Sequence, residues 1–371
     1  ARHAEYYVRV AQNHPAVVAY SMNHNATGYT GDMNPDWIDG LKDPREARAQ
    51  VNAQLALRAE AIVQRWDSSR VIYHHSSGNL GSMHTINFYP NFVPAQELSD
   101  WFEHWATTGV KPVFLCEYGA PFSWDWTMYR GWYKGVREFG GAAVPWQFCL
   151  AEWNAQFFGA AAFRISAREA QNLRWEAKQL AAGQGWHRWD YPHQVGSSEF
   201  DERHPVFALY LADNWPAFRT WGLSAISPWE FGHYWKPRAG LDRGRRNLPV
   251  DWARLQRPGL SADYVEGRYE RMDLAFERED WVPTVAAQAL LRFNRPLLAW
   301  LAGKPGAFTS KDHLFAPTET VEKQLVLINN SRERVSGDAH WSLELPAGTL
   351  TGQQHVSLAP GGQERIPLRL A

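Results

Sequence analysis

Cysteine is scarce in this chain. It has only two, Cys116 and Cys149, too few for a disulfide scaffold. A single bridge between them is the alternative to two buried thiols, which are the expected state, and neither arrangement fixes a redox compartment. Long apolar runs are missing too. No stretch approaches the ~18 uninterrupted apolar residues of a membrane span, and no secretory leader opens the chain. The first residues, ARHAEYYVRVAQNHP, already read as a helix, so a signal sequence would have to lie upstream of them. An excess of one charge is also absent: 38 Lys and Arg stand against 39 Asp and Glu, a net charge of −1. Arg243–Arg246 is the only basic run, so neither nucleic acid nor a membrane is an expected partner. Internal repeats and low-complexity segments are lacking.

What the chain has in quantity is aromatic side chains: 20 Trp, 14 Tyr and 18 Phe in 371 residues. Many must be buried, because aromatics contribute large apolar areas to a core. Flat ring faces also stack on the C–H faces of sugars, which favours carbohydrate as a ligand. The hydrophobic fraction of 45% supplies an ordinary core, and the length suits one large domain with a smaller one.

Along the chain, residues 2–13 suit a helix with Tyr6, Tyr7 and Val10 at helical spacing, ended near Pro15. A buried strand is expected over 16–20. Asp43-Pro44 has the form of a helix start, with Val51, Leu55, Ile62 and Trp66 on one face of the helix that follows. Strands are expected at 71–75, 84–89 and 112–117, with a helix at 97–107. Residues 127–139 read as helix and 142–150 as strand. An Ala-, Gln- and Arg-rich insertion covers about 151–203, with a helix at 166–181, and its Trp175, Trp186 and Trp189 are expected to wall a cleft. The pattern resumes with a helix at 204–219 and a strand at 223–229. A polar loop over 232–283 and a helix at 284–301 follow. Apolar strands alternating with helices signal a parallel sheet in an α/β domain. After residue 302 the pattern changes to alternating strands separated by Gly, Pro and Asn, a small all-β immunoglobulin-like sandwich over 303–371.

Polar side chains recur where the apolar strands end: Asn23, His24 and Asn25; His74 and His75; Asn87 and Tyr89; Glu117 and Tyr118; Trp229 and Glu230. In parallel α/β folds, sites are built at the carboxyl ends of strands. Glu117, directly after PVFLC, is costly to bury unless it is paired or functional. No two histidines have the spacing of a helical metal motif, and adjacent histidines on a strand point to opposite faces. No metal or cofactor is therefore expected.

Four of these segments resemble clan A glycoside hydrolases, in particular the family 2 β-galactosidases and their relatives. NHPAVVAYSMNHN (13–25) is similar to their fourth-strand pattern, which ends in Asn-Glu. DSSRVIYHHSSG (67–78) resembles the fifth strand. GVKPVFLCEYGAP (109–121) resembles the seventh-strand signature K-P-x-x-x-x-E-Y-G, and FRTWGLSAISPWEF (218–231) the eighth strand with its sugar-stacking Trp. The resemblance covers about residues 5–300. It implies a (β/α)8 barrel of which strands four to eight are present and the first three are absent, in a domain over 1–302. It further implies a retaining glycosidase acting on β-linked glycosides, galactoside-like or plant and algal oligosaccharides, with Glu117 as nucleophile. A periplasmic or extracellular setting is favoured over the cytoplasm.

Two departures qualify what the resemblance implies. The alignment puts Asn25 where the family keeps its acid/base Glu, and an amide has no proton to donate. Glu152 and Glu230, each beside a Trp, are candidate replacement acids, and Asp32 is a third. The expected substrate-binding set is Asn23, His24, Asn25, His75, Asn87, Tyr89, Tyr118, Trp146 and Trp229. The second departure is the missing strands: five cannot close a barrel, so a homodimer that completes or covers the open barrel is an expected partner. A non-catalytic carbohydrate-binding protein, or a fragment needing another chain, is the alternative reading.

Overall fold

In a computed structural model of the chain, residues 2–25, 35–38, 47–89, 93–119, 157, 159–186, 190–193, 204–229, 231–251, 254, 266 and 270–370 are described. Five parallel strands succeed one another in chain order. β1 (Ala19–His24) pairs with β2 (Val71–His75), while β3 (His84–Phe88), β4 (Val113–Tyr118) and β5 (Ala225–Pro228) form a second sheet in the order β3-β4-β5. A bridge between Gly78 and Thr85 joins the two groups. The architecture is mixed α/β with a β-rich C-terminal region. Among the described residues, no closed barrel forms.

The first strand starts later than expected. Residues 16–18 approach it outside the sheet, and the polar residues Ser21–His24 lie within β1. Its entry is held by one hub. Asp67 accepts hydrogen bonds from the Tyr20 hydroxyl at 2.9 Å and from the Ser69 backbone at 2.9 Å, and it pairs with Arg70 at 2.5 Å. Arg70 in turn donates to the carbonyls of Val17 and Gln12, both at 2.7 Å. These bonds lower the Asp67 pKa, first through Ser69 and then, against a counteracting desolvation, through Tyr20 and Arg70.

Helix faces differ from the sequence expectation. α1 (Arg2–Ala11) buries Val8 and Ala11 against Tyr20, Val63 and Ile72, leaving Tyr6 73% exposed. α2 (Ala47–Gln64) buries Ala49, Ala56 and Val63, a stripe repeating every seven residues, while Val51, Leu55 and Trp66 face outward. Both helices carry apolar residues on two faces, and small alanines let α2 approach closely on the face that is used. The start of this helix, at Asp43-Pro44, lies outside the described residues.

The helix expected at 97–107 is two short ones, α3 (Ala95–Asp100) and α4 (Glu103–Thr108). The break drives Phe102 into the core, edge-on to Phe88 and Phe218 at 5.2 Å each. Each such fully buried ring is worth about 1.5–3 kcal/mol. α5 (Ala167–Ala181) falls where a helix was expected, and α6 (His204–Trp221) supplies Tyr210, Trp215 and Phe218 to the same core. The regions 127–139 and 142–150 lie outside the described residues.

The described residues of the stretch read as a loop over 232–283 include regular elements. They are α7 (Phe231–Tyr234), which begins one residue before the stretch, and an antiparallel pair, β6 (Trp235–Pro237) with β7 (Trp281–Pro283). The helix expected at 284–301 divides as well. α8 (Val285–Phe293), capped by Thr284 accepting from the Ala287 backbone at 3.2 Å, stops before Pro296. Pro disfavours helical backbone in the residue before it, and the apolar run after it becomes strand β8 (Leu297–Ala302).

β8 pairs antiparallel with β9 (Val321–Asn329), which pairs with β12 (Gln363–Leu370); β10 (Val335–Leu345) and β11 (Gly348–Leu358) form a long hairpin. Leu327, Val356, Leu358, Ile366 and Leu368 pack between these two sheets. Arg219, on α6, donates to the carbonyls of Phe293 and Arg295 and to the Asn330 side chain. It thereby ties α6 to the C-terminal strands. No helix among the described residues is long and apolar enough to cross a membrane.

Candidate active site

The carboxyl ends of β1 to β4 converge on Glu117. Two irregularities in strand pairing create the convergence. Between β1 and β2 the register moves from Ser21 opposite Tyr73 to His24 opposite His75, so β1 has one residue more than its partner. Between β3 and β4 it moves from Ile86 opposite Leu115 to Asn87 opposite Glu117, with Cys116 as the extra residue. A bulge of this kind re-aims the side chains that follow it. The first makes His24 and His75 direct neighbours, their rings 4.7 Å apart and tilted by 37°.

Strand alternation separates the two adjacent histidines. His74 is buried against α2, its Nε2 2.8 Å from Glu60. His75 turns the other way and places Nε2 2.8 Å from Glu117 Oε1. The Tyr89 hydroxyl, just past β3, donates to Glu117 Oε2 at 2.8 Å. Each carboxylate oxygen thus has a partner, although Glu117 is only 2% exposed. Burial alone would push its pKa up. The hydrogen bonds from His75 and Tyr89, with the charges of His75 and His24, more than offset this, and the net shift is downward. The carboxylate is held ionised and in one orientation.

A second set of bonds surrounds this group. Asn87 Nδ2 donates to Asn25 Oδ1 at 2.9 Å, which turns the Asn25 amide nitrogen toward His24 Nε2, 3.2 Å away. Asn25 has φ of +52° and Ser76 has φ of +47°, the left-handed region that non-glycine residues enter at a cost. Asn23 Oδ1 accepts from the Ser77 hydroxyl at 3.2 Å. Asn23 Nδ2 and Asn87 Oδ1 are buried with no hydrogen-bond partner among the described residues.

Of the expected site residues, His24, Asn25, His75, Asn87, Tyr89 and Glu117 thus stand together, with Asn23 beside them. Tyr118 does not. It is fully buried among Phe88, Trp215 and Phe218, and its hydroxyl finds no partner among the described residues. Its pKa is raised by that burial. Adjacent strand residues face opposite ways, so Glu117 in the site puts Tyr118 in the core. Trp229, 37% exposed, follows β5 with its backbone N–H bonded to the Tyr118 carbonyl at 2.8 Å. Asp32, Trp146, Glu152 and Glu230 lie outside the described residues. Cys116, the bulge residue, is a buried free thiol whose pKa burial pushes up to about 12. Cys149 lies outside the described residues.

The sequence pattern argued against metal ligands because no histidine pair has helical spacing. The fold supplies a different route, since His24, His75 and Glu117 come from three strands and bring one ligating atom each to within 4.8 Å of one another. The only sequence signal was a histidine at the end of each of two successive strands. Elsewhere, a cavity of about 550 Å³ between α8 and the C-terminal strands, lined in part by Arg292, Lys311, His313 and Lys323, shares no residue with this cluster.

No family model matches the sequence, and no curated protein matches it. Among solved structures, a crystal structure of β-D-mannosidase from Dictyoglomus thermophilum is similar, with TM-score 0.43 and 11% identity. The match covers 100% of this chain and 36% of that one. A likeness of that size leaves activity to be argued from the site itself.

Proposed function

We propose that this protein is a retaining glycoside hydrolase for β-linked glycosides, of galactoside or plant and algal oligosaccharide type, with Glu117 as nucleophile. In this reading β1 to β5 are the fourth to eighth strands of a (β/α)8-type barrel. The observation that carries it is the Glu117 carboxylate, buried at the strand ends yet kept ionised by His75 and Tyr89. A nucleophilic carboxylate must be anionic and aimed, and two donors supply both properties. Attack of one oxygen on the anomeric carbon forms a glycosyl ester and expels the leaving group. Water then attacks the same carbon and releases Glu117. Departure of an alkoxide needs a proton, which Asn25 cannot supply. Glu152 and Glu230 are the candidates for that role. In retaining enzymes the acid stands about 5–5.5 Å from the nucleophile.

The test uses aryl β-glycosides whose leaving groups range from dinitrophenyl to methoxyphenyl. Wild type should turn over the most activated members, and Glu117→Ala should lose this by at least ~10³-fold. Added azide should restore turnover of the dinitrophenyl substrate by Glu117→Ala, yielding the α-glycosyl azide. If wild type turns over no member of the panel, or Glu117→Ala is as active as wild type, the proposal is wrong. The bonding of Asn25 to His24 and Asn87 favours one second reading, a carbohydrate-binding protein without catalysis. Calorimetric binding of oligosaccharides with no turnover of even the dinitrophenyl glycoside would establish it.

A further inference from the structure

We propose that His24, His75 and Glu117 form a binding site for a divalent transition metal of the zinc type. Two imidazoles and one carboxylate are a donor set that suits zinc with a fourth position left open. The three groups stand on separate strands, and the β1 bulge is what makes His24 the cross-strand neighbour of His75. Their ligating atoms lie within 4.8 Å of one another, whereas ligands at ~2.1 Å in a tetrahedron stand about 3.4 Å apart. His75 and Glu117 are already closer than that, at 2.8 Å. His24 alone has to close in, and it is exposed at the end of its strand.

Outer-shell groups that orient ligands are also in place. Tyr89 donates to the second oxygen of Glu117, which leaves Oε1 for the ion. The Asn25 amide nitrogen stands 3.2 Å from His24 Nε2, a contact that the ion has to replace when His24 turns onto it. The buried Asn87 Oδ1, without a hydrogen-bond partner among the described residues, can accept from a water carried by the ion. Binding replaces the hydrogen bond between His75 and Glu117 with bonds from both groups to the ion. It also ties up the Glu117 lone pair. Metal binding and nucleophilic attack by Glu117 then exclude each other, and zinc acts as a reversible inhibitor of any glycosidase activity.

The experiment is isothermal calorimetry of the tag-free chain, stripped with chelator, titrated with zinc chloride alone. Cobalt is the spectroscopic probe, because its visible bands report tetrahedral nitrogen and oxygen ligation. Wild type should bind one zinc. His24→Ala and, separately, Glu117→Gln should each weaken it by more than the ~10–100-fold typical of losing an outer-shell partner. Glu117→Gln preserves side-chain shape and guards against misfolding in the alanine variant; circular dichroism checks both. No zinc binding by wild type, or equal affinity in wild type and both folded variants, overturns the proposal. The second outcome would place the ion elsewhere, as at the exposed His355–Asp338 pair. Calorimetry reads the metal whether or not a sugar is cleaved, so a failed glycosidase assay leaves this result standing, and the converse holds.

Discussion

Replacing Tyr89 with Phe removes one hydroxyl and little else, and its effect on Glu117 can be worked out. The hydroxyl donates to Glu117 Oε2 at 2.8 Å, and His75 holds Oε1 at 2.8 Å. At 2% exposure the carboxylate has almost no water to take the place of a lost donor. A hydrogen bond to a charged group contributes about 1.5–3 kcal/mol, against about 0.5–1.5 kcal/mol for a neutral one. At about 2 °C per kcal/mol for a chain of this size, Tyr89→Phe should melt about 3–6 °C below wild type at pH 7. The pH dependence is the sharper test. The folded-state pKa of Glu117 is lowered, so its contribution is fully present above the unfolded value, about 4.3, and is lost as pH falls through the folded one. The variant loses one of the downward influences, so its Glu117 pKa lies above that of wild type. The gap between the two proteins should therefore be widest at neutral pH and shrink toward that of a neutral bond in acid. Melts from pH 7 to pH 3, with chelator present, would show this. An equal gap at both ends, or none at pH 7, would refute the account of Glu117 as an anion held by its two donors.

Two further perturbations test the frame around the site. In a Cys149→Ser background, Cys116, with its pKa pushed to about 12 by burial, should resist a disulfide reagent in the native protein and react with one equivalent in urea. Rapid native reaction would contradict its placement in the bulge. A Cβ on Gly303 would lie 2.4 Å from the Ala307 carbonyl and 2.6 Å from that of Ser310, and backbone atoms cannot swing aside. Gly303→Ala should therefore cost about 1–3 kcal/mol, as other overpacking changes do, and reduce soluble yield; a melt indistinguishable from wild type, within about 1 °C, would show that turn to be wrongly placed.

The strand ends were legible because composition changes sharply there: PVFLC gives way to Glu117, and VIY to two histidines. Strand alternation also carried a consequence that was available from the sequence, since Glu117 and Tyr118 cannot both face one site. Pro296 likewise marked a break inside the run read as one helix from 284 to 301. Other features were not legible. A bulge is one extra residue in one strand, and its position depends on the partner strand, so His24 opposite His75 could not be inferred from either segment alone. Helix faces failed for another reason. With apolar residues on both sides of α1 and α2, periodicity names two stripes, and the choice belongs to packing around Tyr20, Val63 and Ile72.

Asn25 has a physical rationale independent of any lost acid. Its φ of +52° lies in the region where Asn is several-fold enriched among non-glycine residues, and where other L-residues pay about 1–2 kcal/mol. Its amide also has two faces in use, an acceptor for Asn87 and a donor toward the His24 ring. A carboxylate could accept from Asn87 and from an imidazole N–H as well, so these contacts alone do not decide between the two. It would also add a negative charge near Glu117, raising that group's pKa against the effect of His75 and Tyr89. The backbone conformation and the charge balance around Glu117 therefore both favour the amide. A single Asn25→Glu change would strain this backbone and oppose the ionisation of Glu117 as much as it supplied an acid, so a proton donor for this site is better sought on another segment of the chain.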